Sequence, residues 1–110
     1  MAAKIGTVQQ LSQTALTATT TTVLYTVPAL TTTILKELVL CNTDTADHTV
    51  TIQVGAGTAV ANRILSAVNI PAGQTLAFTF STALLTTQTI TGGASVGAFV
   101  SCTISGIEVQ

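Results

Sequence analysis

Charge is what this chain most lacks. Its 110 residues include three Lys or Arg and four Asp or Glu, 6% together, where an ordinary soluble domain carries about 25%. General nucleic-acid binding needs clustered cations to release counterions, and Lys4, Lys36 and Arg63 stand far apart. Trp is absent and Tyr25 is the single tyrosine, which disfavours a module that stacks aromatic rings on sugars. With one histidine and two cysteines in no CxxC spacing, no zinc site is built. No apolar run approaches the roughly 18 residues of a membrane helix. The Thr- and Gln-rich residues after Lys4 form no apolar leader segment, so synthesis and use in a cytosol, or export inside a larger particle, is the expectation.

What the chain does have is threonine, together with a 47% hydrophobic share. Threonine is β-branched and favours strands while keeping a hydroxyl for water or a neighbour. The length suits one domain. So few charges offer little protection against association, so much of the surface is expected to meet another protein. A monomer kept soluble by Thr and Gln is the competing reading.

The pattern is organised around residues 34 to 54. Ile34 to Cys41 is an apolar run interrupted by Lys36 and Glu37, and Val50, Ile52 and Val54 alternate with Thr49, Thr51 and Gln53. Between them lies NTDTADH, rich in residues that bond their own backbone. The stretch reads as two strands folded back on each other. A strand at Thr21 to Val27 ends at Pro28, and Thr75 to Phe80 alternates with Leu76, Phe78 and Phe80 inward. Residues 61 to 70 fit a helical turn or an irregular strand. A short strand is expected near Gln88 to Thr91, and the glycines at 92 and 93 read as a turn. In the last strand, Val96 to Val109, Ile107 and Val109 break the parity of Val100, Cys102 and Ile104. A bulge at Ser105-Gly106 would return them to the core. Seven or eight strands at this spacing predict an antiparallel β-sandwich, residues 21–110, preceded by an extended N-terminal arm, residues 1–20.

Candidate sites are few. His48 has Asp44 and Asp47 nearby but no nucleophile pattern, and a wet turn-flanking histidine is the simpler reading. Asn42, Asp44 and Asp47 lack the ligand spacing of a calcium loop. No catalytic, cofactor or metal residue is assigned. Cys41 and Cys102 are expected as small hydrophobes, with a disulfide as the alternative. Lys36 and Glu37, being adjacent, should face opposite sides of a regular strand, leaving one in need of a partner. Candidate interface residues are Lys4, Ile5, Val8, Leu11 and Leu16 on the arm, with Tyr25, Lys36, Glu37 and Arg63. For Tyr25, a core position with its hydroxyl at the rim is the alternative.

Three segments, VLYTVPA at 23–29, LKELVLCNT at 35–43 and NIPAGQTLAF at 69–78, resemble in order and spacing the small β-sandwich or jelly-roll-like virion proteins of tailed bacteriophages. These serve as capsid cement (decoration), neck and tail modules. The resemblance covers residues 20 to 109, and LYTVPA with the strand ending in CN is its distinctive part. It implies a non-enzymatic homo-oligomer, a trimer, made in a host bacterial cytoplasm. Such a protein would be carried on the capsid surface beside the major capsid protein, without cofactor, nucleic acid or membrane.

Overall fold

The computed structural model describes residues 7–55 and 60–110. The fold is all-β, with eight strands among the described residues: β1 (Val8–Ala15), β2 (Val23–Thr26), β3 (Thr32–Asn42), β4 (His48–Val54), β5 (Arg63–Ile70), β6 (Thr75–Leu84), β7 (Thr89–Ala94) and β8 (Val100–Val109). One short 3-10 turn, Val60–Asn62, precedes β5. The strands form two antiparallel four-stranded sheets, ordered β1-β8-β3-β6 and β2-β7-β4-β5. The first strand pairs the last, the second the seventh, the third the sixth and the fourth the fifth. A long hairpin rolled up in this way is the jelly roll, two Greek keys closed face to face.

The core lies between the sheets and is aliphatic. Leu35, Leu38 and Leu40 of β3, Val50 and Ile52 of β4, and Val100, Cys102 and Ile104 of β8 are all inaccessible to solvent. Burying a side chain of this kind contributes about 1.5–3 kcal/mol. Leu76, Phe78 and Phe80 face inward as expected, but their strand is an edge. They cover the flank of the core while remaining half-buried.

The two strands of residues 34–54 both form, but they do not pair. β3 is hydrogen-bonded to β6 and β8, and β4 to β5 and β7. The polar turn between them crosses from one sheet to the other. Both strands are central, so each needs partners on two sides, and these come from distant parts of the chain. The undecided stretch before Pro71 is an irregular strand, with Ala67 at φ 47°.

The expected bulge on the last strand is not there. Burial alternates along β8 from Val100 to Gly106, and the extra residues sit on its neighbours, at Leu11 of β1 and Lys36 of β3. Gly106 serves a close approach instead, since a Cβ there would lie 2.4 Å from the Ile34 carbonyl oxygen. In consequence Ile107 and Val109 take the outer parity, and Glu108 takes the inner one. Gly92 and Gly93 likewise belong to β7 and not to a turn. The Gly93 Cα is pressed against the connection from β1 to β2, where a Cβ would sit 2.2 Å from the Thr19 carbonyl oxygen.

Residues 8–15 are extended, as an arm would be, but they are laid onto the protein's own first sheet as β1. Leu16, which follows, is fully buried in the core. Residues 17–22 then strap over the second sheet: Ala94 N donates to Thr17 O at 2.9 Å, Gly92 N to Thr22 O at 3.0 Å and Gln53 Nε2 to Thr20 O at 2.8 Å. Residues 1–6 of the expected arm lie outside the described residues.

Candidate interaction surfaces

The sequence-expected interface residues do not converge on one patch. Lys4 and Ile5 lie outside the described residues. Val8 is exposed at the start of β1, Leu11 packs against the core at the β1 bulge, and Leu16 is interior. Leu16 is thus not available to a partner, because the strap that follows it closes over the end of the sandwich. Arg63 opens β5, exposed, with Nη1 donating to Ser66 Oγ at 3.1 Å.

Lys36 and Glu37 do not divide between the two faces. The register shift between Leu35 and Glu37 adds one residue, so both reach the outer side while Leu35 and Leu38 stay in the core. Lys36 Nζ donates to Ser81 Oγ at 3.3 Å. The outer face of the first sheet is otherwise uncharged, with an apolar row of Val8, Ile107, Ile34 and Ala83 at one end. Ala77, Val39, Thr103 and Gln13 form one row across its strands, and Thr75, Cys41, Ser101 and Ala15 the next. Cys41 and Cys102 are free. Cys102 is opposite Leu40 and shares its inward face, while Cys41 is opposite Ser101 and faces outward, so a disulfide is geometrically closed to them. Burial pushes the Cys102 thiol up to about 12.

Tyr25 is half-buried and turned into the sandwich. Its hydroxyl donates to Glu108 Oε2 at 2.5 Å and lies 2.8 Å from Thr33 Oγ1, while Gln9 Nε2 donates to Glu108 Oε1 at 2.6 Å. Four strands from both sheets therefore meet in one polar cluster at this end of the core. The sequence reading missed Glu108, although the parity of Val100, Cys102 and Ile104 continued unbroken would have found it. Burial, then the Glu108 carboxylate, pushes the Tyr25 hydroxyl up to about 12. A folded-state value above the unfolded one favours folding below pH 10, and that contribution is lost as pH rises from about 10 to about 12. With one tyrosine and no tryptophan, absorbance at 295 nm reads this group alone. The midpoint is expected near 12 in the native protein and lower in Glu108→Gln; a native midpoint of 10 contradicts the cluster.

His48 is not on a wet edge. It is 6% exposed, its Nε2 lies 2.7 Å from Asp44 Oδ2, and its ring stacks on Phe99 at 5.9 Å. That hydrogen bond, with one from the Thr45 N–H, holds the Asp44 carboxyl below its ordinary value. Asn42 is fully buried, and its Nδ2 donates to Ala46 O and Ile70 O, both at 2.9 Å. Asp47 accepts from Ala72 N at 2.9 Å. The polar turn thus pins the crossing between sheets, and its carboxylates are engaged in that task. Among the described residues no group of three His, Cys, Asp or Glu could hold a metal.

The opposite end carries apolar side chains. Leu30 and Leu85 are 87% and 63% exposed, and Leu30 has φ 56°. Their loops are tied together by Thr86 Oγ1, which accepts from Thr31 N and donates to Thr31 O. Val8 and Val109 lie at the same end, where β1 begins and β8 ends.

No family model matches the chain, and no curated protein matches it. Among solved structures it is similar to a chain of infectious bursal disease virus, Gx strain, at 16% identity over 97% of this chain, with a TM-score of 0.51. It spans 33% of that chain's length. It is also similar to the Tobacco streak virus coat protein, at 12% identity and a TM-score of 0.46, covering 96% of this chain and 84% of that one. The likeness to the first of these is one of fold.

Proposed function

We propose that this protein is a structural component of a virus particle, a capsid cement (decoration) protein that associates with copies of itself and with the assembled shell. The observation that carries this is a closed jelly roll whose described surface is rich in threonine, serine and alanine, bears exposed valine and leucine and has almost no charge, while Asp44, His48, Tyr25 and Glu108 are hydrogen-bonded within the fold. A jelly roll serves many functions, but one with these surfaces is suited to contact and poorly suited to chemistry. The fold shared with a viral chain and the bacteriophage resemblance of residues 20–109 both support it. Cement acts by mass action, since it binds the assembled lattice and not the free subunit.

We assign the shell contact to the end bearing Leu30 and Leu85. There an exposed apolar side chain and a left-handed leucine coincide, and strain of that kind gathers where a surface is used. Immunogold labelling of particles with an antibody to this protein tests the location. Label over the whole head is expected; label at one vertex or on the tail would move the protein to a neck or tail module, and no label would overturn the particle reading. Leu30→Asp/Leu85→Asp is expected to keep its circular dichroism and melting temperature while losing at least tenfold in particle association. Undiminished association would exclude that end as the contact.

A further inference from the structure

Each sheet of the sandwich has two outer strands, and three of the four are blunted in the ways natural edges are. β2 is only four residues long and runs into Pro28. β5 opens on Arg63, is interrupted by register shifts and holds Ala67 at positive φ. β1 is split by its bulge at Leu11. β6 differs. It has ten residues, no charge and no proline, and up to the irregularity at Phe80 and Ser81, opposite Lys36, it pairs residue for residue with β3 from Thr75 to Thr79. No charged residue occurs anywhere from 64 to 107. Its inward Leu76, Phe78 and Phe80 touch the core yet remain half-buried, so the sandwich is left open along this flank.

We propose that β6 pairs antiparallel with β6 of a second copy, about a two-fold axis through Ala77. The five regular residues TLAFT are self-complementary in this register. Ala77 meets Ala77, Thr75 meets Thr79 and Leu76 meets Phe78. The small residues stay on the outer face and the apolar ones on the core side, as the period of two requires. A two-fold contact sets the residue on the axis against its own copy and brings its neighbours close to theirs, where like charges would repel, and β6 has none. The first sheets of the two copies become one continuous sheet, and the phenylalanines of each cover the open flank of the other. This inference specifies the self-association in the reading above and does not depend on the particle. A two-fold contact also departs from the trimer that the bacteriophage resemblance implies.

The register is tested by cysteine trapping in a Cys41→Ser background, with sedimentation of the unaltered protein alongside. A species of twice the 11.1 kDa chain mass is expected. Directly opposed Cβ atoms lie about 4.5–5.5 Å apart, close enough for a disulfide after slight adjustment. Ala77→Cys should therefore cross-link to a covalent dimer on mild oxidation. Thr75→Cys alone should not, whereas Thr75→Cys mixed with Thr79→Cys should. Ala77→Lys should sediment as a monomer with unchanged circular dichroism. A monomeric or trimeric native mass would overturn the proposal, as would cross-linking by Thr75→Cys alone in place of Ala77→Cys. Particle labelling reads the virion role independently, so either result can fail without the other.

Discussion

Leu16→Ala is expected to destabilise the protein by about 2–5 kcal/mol, the usual cost of emptying a leucine site in a packed core. Domains of this kind are stable by roughly 5–15 kcal/mol in all, so one methyl-rich side chain near the N-terminus would remove a large share. The reason is positional. Leu16 is fully buried, and its backbone is fixed at both groups: its N–H donates to Val100 O at 2.8 Å, and its carbonyl accepts from Ala98 N at 2.9 Å. If residues 8–16 were instead a loose arm, the same substitution would cost a few tenths of a kcal/mol at most. Urea unfolding monitored by circular dichroism separates the two outcomes. The same reasoning makes deletion of residues 2–18 a test of folding and not of partner binding, because it removes β1 and this core side chain together.

Gly93→Ala is expected to cost about 2–5 kcal/mol, from overpacking together with buried polar groups losing their partners. The new methyl would lie 2.2 Å from Thr19 O and 2.7 Å from Thr17 O, and both obstacles are backbone. Relief requires the strap of residues 17–22 to lift. That would break the hydrogen bonds from Ala94 N, Gly92 N and Gln53 Nε2 to it. Gln53 is 1% exposed, and its Oε1 already has no hydrogen-bond partner, so losing Thr20 O would leave the whole amide buried and unpaired. Gly73→Ala provides the contrast. Nothing lies within 4 Å of its Cβ position, and the penalty is confined to a positive φ of 68°. Thermal melts of the two variants should rank Gly93→Ala well below Gly73→Ala; equal melting temperatures would show that the strap is not held against β7.

The strands legible in the sequence are those whose pattern depends on local parity alone. Val50, Ile52 and Val54 and the Leu76, Phe78 and Phe80 series took the faces their alternation predicts. What failed was pairing, because the parity of a strand says nothing about which strand lies beside it. Residues 34–54 were adjacent in sequence and read as one hairpin, yet a jelly roll sends such neighbours to opposite sheets. The last strand was misread for a related reason. Its parity was right through Ile104, and the irregularity needed to match it sits on β1 and β3, where nothing in β8 itself reports it. Glu108 was hidden by the same assumption. The burial of His48 was not legible because it depends on Phe99, more than fifty residues away.

The pairing of first strand with last has a consequence for synthesis. A nascent chain presents Val8–Ala15 to the tunnel exit well before β8, whose backbone groups complete it and which follows all the other described strands. β3 finds β6 before it finds β8, and β2 waits for β7. Only β4 and β5 are close enough in sequence to close soon after they emerge. Closure over long separations is entropically slow, so ordering is expected to start from the middle of the message and spread outward in both directions. On the ribosome β1 must remain unpaired until β8 emerges, and loss of residues 101–110 would deprive β1 and β3 of their shared neighbour.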